Sequence, residues 1–213
     1  MKKRTLGYVC GVVGISLLSL NAGLPTAAAA VAKTTDGHVA YVDGELELVG
    51  SDLPDDLDFG SHTIQYDTDK TYYATDSGTD NENASASDLT TGAVKVIDGR
   101  GATNKGWSVT VQQTAQFNDG TSDLDSAELS AYGNPSSLSV SGSTDFVSGK
   151  LTLTPGLDKK VMGATATETG SVGKGTTTLN LTHFTLDVPG ASAKSVGTYD
   201  SEIVWTVSAT PAT

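Results

Sequence analysis

The chain is poor in several things. It has one cysteine, Cys10, six prolines and three histidines, His38, His62 and His183, among 213 residues. A single thiol forms no disulfide framework. Three histidines with no His-Glu-x-x-His or Cys/His ligand spacing offer no zinc motif. Aromatic residues make up 6% of the chain, too few to suggest the aromatic-lined cleft of a glycoside hydrolase. Leu, Glu and Lys never cluster at i, i+3, i+4 over three turns, so no long amphipathic helix is expected. Basic residues are also scarce, 13 against 25 acidic ones for a net charge of −12, which argues against binding nucleic-acid phosphates. No repeat of 20–50 residues is visible.

Small and polar residues fill the space: Thr, Ser, Asp and 24 Gly. The length suits one domain, and a domain of this size buries roughly 70% of its unfolded surface without covalent staples. The N-terminus reads as a signal peptide. Lys2, Lys3 and Arg4 precede an apolar run over 6–20, too short for a membrane span, and small residues at Ala28 and Ala30 place cleavage after Ala30. Cys10 lies inside that run, far upstream of the small-residue site, and is read as part of the signal rather than a lipid anchor. Cleavage leaves no cysteine and no membrane anchor. It also leaves ten basic against 25 acidic residues, a net charge of −15. Contact with any polyanion must then be local, uncharged or helped by cations.

Residues 31–37 form a polar leader. A strand is predicted over 38–49, kinked at Gly44, and a short one over 61–66. Residues 67–92 carry Asp, Asn, Ser, Thr and Gly with few apolar anchors, and read as a long loop. Residues 93–98 form a strand that turns through Gly99-Arg100-Gly101 into Gly106-Trp107-Ser108-Val109-Thr110-Val111, a hairpin with a long connection. Residues 117–125 form an acidic loop. Short strands follow at 138–140 and 151–154, and 157–174 shows little period. Over 177–188 the apolar phase changes between Leu179, Leu181 and Phe184, Leu186, Val188, so a bulge near Thr182-His183 is predicted. The last strand, 198–207, puts Tyr199, Ser201, Ile203, Trp205 and Val207 on one face. Eight to ten short strands define an all-β, mostly antiparallel, Ig-like sandwich with long acidic loops. Both tryptophans are expected on inward rows.

Residue order and spacing over 38–209 resemble the WxL-domain surface proteins of low-GC Gram-positive bacteria. The resemblance is carried by Asp58-Phe59-Gly60, by Val96-Ile97-Asp98-Gly99-Arg100-Gly101 leading to Trp107-Ser108-Val109, by Ala127-Glu128-Leu129, and by Leu186-Asp187-Val188-Pro189 leading to Trp205-Thr206-Val207. Val replaces the family's Leu in both motifs, and either side chain fits an inward strand position. The resemblance implies a single WxL-like domain over 38–213, held non-covalently to the cell wall with peptidoglycan or another wall glycan as ligand. It also implies companion cell-surface proteins as partners. The sequence ends four residues after Ala209 without a sorting signal in that stretch, so the expectation is that a folded domain holds the protein at the surface.

The motif positions Trp107, Val109, Trp205, Val207 and Arg100 are the candidate binding residues. Trp107 and Trp205 have a sugar-stacking reading, but their Val and Ile neighbours favour core. Arg100 either pairs with Asp98, bracing the turn, or reaches a ligand carboxylate, and the local ion pair is the favoured reading. The acidic groups near 52–58, 67–69 and 119–125 lack the spacing of an EF-hand and are read as solvated turns, so no metal and no cofactor is expected. Gly170 to Thr177 fails the spacing of a phosphate loop. No catalytic constellation stands out, and the expectation is a binding protein rather than an enzyme. Two rival readings remain: a docking module for a companion protein, pairing through its acidic loops and an exposed strand edge, and a carbohydrate-active enzyme or its accessory.

Overall fold

The structure is a computed structural model, and it describes residues 33–79, 81–101, 106–137, 149–165 and 173–210. The expected signal peptide, the 138–140 strand and the first three residues of the glycine-rich 170–177 stretch lie outside the described residues. The chain divides into Met1–Ala40 and a compact body, Tyr41–Thr213. In the first unit, the described residues 33–40 carry no strand or helix.

The body is all-β among the described residues, apart from single 3-10 turns at Gly50–Asp52 and Pro135–Ser137. Its strands are β1 (Leu46–Leu48), β2 (Lys70–Tyr73), β3 (Gly92–Asp98), β4 (Trp107–Gln113), β5 (Glu128–Asn134), β6 (Lys150–Thr152), β7 (Lys159–Ala164), β8 (Gly175–Val188) and β9 (Ile203–Ser208). They form two antiparallel sheets. The larger runs β1-β3-β8-β5-β6, with β2 also on β8; the smaller runs β7-β4-β9. β8 is the spine of the larger sheet. Its first half pairs with β3 and its last four residues with β2, so those two strands lie end to end along one side. β5 occupies the other side.

The predicted bulge is present. Tyr132 of β5 faces His183, yet Gly133 faces Leu181, so Thr182 is the extra residue. Without it one of the two apolar triplets of β8 would face solvent, because a one-residue offset flips every later side chain. With it Thr177, Leu179 and Leu181, then Phe184, Leu186 and Val188, are all buried. Val94 and Val96 of β3, Leu129 and Ala131 of β5, and Trp107, Val109 and Val111 of β4 complete the middle of the core.

Four expectations need correction. The strand predicted over 38–49 is regular only at Leu46–Leu48. Val39, Tyr41 and Val42 are largely exposed, so the alternation upstream of Gly44 meets no packing surface. Residues 61–66 form no ladder. β3 and β4 are not a hairpin, since they belong to different sheets. Finally, the stretch read as a structureless loop holds β2. What fixes it is polar: Asn81 is 3% exposed, and its Nδ2 donates to the carbonyls of Asp58 (3.0 Å) and Tyr73 (2.8 Å) and to Thr75 Oγ1 (3.2 Å). The Tyr73 N–H donates back to the Asn81 carbonyl at 2.8 Å. Hydropathy does not register an anchor made of one amide.

Candidate functional site

The two tryptophan strands are neighbours. β4 is the centre of the smaller sheet and β9 pairs with it, with Val109 directly across from Val207 and Val111 across from Trp205. Alternation puts Trp107, Val109 and Val111 of one strand, and Ile203, Trp205 and Val207 of the other, on the face turned to the larger sheet. The indoles are therefore four residues and one strand apart, roughly 14 Å by strand geometry.

Their surroundings differ. Trp107 has 0% exposure, and its Nε1–H donates to the Gly173 carbonyl at 2.9 Å, so the one polar atom of the ring is satisfied. Gly173 has φ +76°, and a Cβ there would sit 2.3 Å from Ala164 Cβ and 2.7 Å from Trp107 Nε1, so only glycine fits. Arg100 closes the same corner. Its Nε and Nη2 donate to the two carboxylate oxygens of Asp98 at 2.8 and 3.0 Å, and Nη2 also donates to the Gly106 carbonyl at 2.7 Å, the residue before Trp107. The Asp98 side chain is 1% exposed. The Arg100 guanidinium beside it holds its carboxyl below the usual carboxylate range. Lys174 Nζ donates to the Arg100 and Gly101 carbonyls. The Trp107 indole N–H, the Arg100 Nε and Nη2, the Asp98 carboxylate and the Lys174 ammonium of this corner are all partnered within the protein, which is the condition of a structural brace rather than of an open ligand site.

Trp205 is only half-buried. It lines a cleft of about 1410 Å³ bordered by residues 53–65 and 194–203, into which Phe59, Tyr72, Phe117 and Phe184 also face. Phe59 meets Phe117 edge to face, with centroids 6.1 Å apart. The border carries Asp55, Asp56, Asp58, Asp200 and Glu202 against one lysine, Lys194. Asp58-Phe59-Gly60, singled out in the sequence, supplies both wall and rim. Gln113 was not singled out. It is fully buried on the inward row of β4, across from Ile203, with neither side-chain amide atom paired.

A second surface lies on the outer face of the larger sheet. Tyr132 and His183 stack at 4.0 Å, Tyr73 leans on His183 at 5.9 Å, and Lys150 Nζ lies 6.0 Å from the Tyr132 ring. Lys150 also reaches Glu128 at 3.4 Å and Asp187 at 3.7 Å. Burial pushes the His183 imidazole below its ordinary pKa. Sequence reasoning missed this row, because Tyr73, Tyr132, Lys150 and His183 come from four strands and only register brings them together. Among the described residues no group of three or more His, Cys, Asp or Glu side chains is arranged to hold a metal ion, and no helix is long and apolar enough to cross a membrane.

Two antiparallel sheets, with one tryptophan motif braced in the core and its sequence twin beside an open cleft, define a β-sandwich domain among the described residues. The chain belongs to the WxL domain family, described as surface cell wall-binding, which matches residues 30–211. No curated protein and no solved structure matches it. Membership makes it a cell-wall-binding protein of the cell surface.

Proposed function

We propose that the protein is exported by its N-terminal signal and attaches non-covalently to the peptidoglycan of a Gram-positive wall, without catalysis, as one member of a surface assembly. The observation that carries this is the family match over residues 30–211. The charge balance supports an attachment that is local rather than a general attraction to wall polymers. A pull-down on purified sacculi tests it: the protein is expected to sediment with protein-free peptidoglycan and to release no soluble sugar. Sedimentation only with intact cells would replace glycan by a protein receptor, and sugar release would make the protein an enzyme.

The second reading, a docking module for a companion surface protein, is favoured by one feature. β9 ends its sheet among the described residues and leaves a strand edge open beside the cleft.

A further inference from the structure

We propose that the cleft beside β9 is a strand-acceptor site. It takes an extended peptide segment from a partner protein, apolar at alternate positions and carrying lysine or arginine at its ends. This rests on the reading of the chain as a member of a surface assembly, but not on the choice of peptidoglycan as its ligand.

The phase of β9 is fixed by the Thr114 N–H donating to the Glu202 carbonyl at 2.9 Å. In an antiparallel ladder the bonded pairs alternate, so Val204, Thr206 and Ser208 face β4 while Ile203, Trp205 and Val207 turn their N–H and C=O groups to the open side. No described residue bonds to them there. Edge strands are normally guarded by a charge, a proline or a bulge, and Ile-Val-Trp-Thr-Val-Ser has none. The adjoining space is about 1410 Å³, above the roughly 300–1,000 Å³ typical of small-molecule sites. Its lining alternates between Leu57, Phe59 and Ile64 on one segment and Ile203 and Trp205 on the other, a surface suited to the apolar side chains of a strand. Asp55, Asp56, Asp58, Asp200 and Glu202 surround it with negative charge, which selects a cationic occupant. A glycan strand has neither the regular N–H and C=O ladder nor the positive charge that these features match.

The test is a titration of the full chain into a labelled synthetic peptide of alternating Val and Thr with two Lys at each end, read by anisotropy and by indole emission. Saturable one-to-one binding with a shift in Trp emission is expected. Asp56→Lys with Glu202→Lys, both exposed positions, should weaken it by about tenfold or more. The same peptide N-methylated at alternate residues should not bind, because it cannot complete the ladder. Absence of saturation, equal binding of the methylated peptide, or a protein dimer that excludes the peptide would each overturn the proposal. Sacculus binding by the unaltered chain, set beside its peptide binding, separates the two readings. Peptide bound but sacculi not bound leaves this proposal standing and removes the peptidoglycan one, and the reverse result does the opposite.

Discussion

The same three-residue pattern, Trp, hydroxyl residue, Val, occurs in β4 and in β9, and the two copies end in different environments. In β4 the indole is sealed, its N–H is bonded to Gly173, and Arg100 and Asp98 brace the residues before it. In β9 the indole is half covered and borders a cleft, on a strand with no hydrogen-bonded partner on its far side among the described residues. The motif therefore marks strand position rather than function. A central strand turns it into structure, and an edge strand leaves one side of it available.

The largest effect should come from breaking the sealed copy. Trp107→Ala opens a cavity in the core and orphans the Gly173 carbonyl, and is expected to lower unfolding free energy by about 3–5 kcal/mol in urea denaturation. Next is the brace. Asp98→Asn leaves a mostly buried guanidinium without its counter-charge and should cost about 3 kcal/mol at neutral pH. Because the folded carboxyl is held below the usual range, that contribution is complete above roughly pH 4 and is lost as pH falls further. The gap between wild type and variant should then close in acid. A constant gap would mean that Arg100 draws its stability from the Gly106 carbonyl instead.

Trp205→Ala should cost less, about 1–2 kcal/mol, since the ring is only partly covered. It should also remove the redder, acrylamide-quenchable share of indole emission and leave the blue share from Trp107. Equal losses for both tryptophans would abolish the contrast drawn here. The smallest effect concerns His183, which is held neutral by burial and faces Tyr132, Tyr73, the Thr182 hydroxyl and, beyond Tyr132, Lys150. Its folded pKa lies below the ordinary value near 6.5, so protonation favours the unfolded chain and stability should decline as pH drops below about 6.5. His183→Gln should flatten that decline, by less than about 1 kcal/mol between pH 7 and 5.

Much of the fold was legible where hydrophobic period and local chemistry agree. The phase change in 177–188 gave the bulge at Thr182, and two charged residues flanking a glycine gave the Asp98–Arg100 pair. Other parts were hidden for physical reasons. β5 reads Glu-Leu-Ser-Ala-Tyr-Gly-Asn, with little apolar volume, because neighbours on both sides bury its Ser130 and Ala131. β2 is secured by Asn81, whose amide does what apolar anchors do elsewhere. The separation of β3 and β4 into two sheets is a choice between a turn and a crossing, and local sequence does not encode it. For the site, the sequence pointed to both tryptophans but not to the difference between them, which depends on which strand lies at the sheet edge.

The pairing of Val109 with Val207 joins residues almost a hundred positions apart. The smaller sheet cannot acquire its third strand until β9 has been made, so loop closure here is late and slow. A polypeptide passed through a pore from its N-terminus would leave β4 waiting for β9.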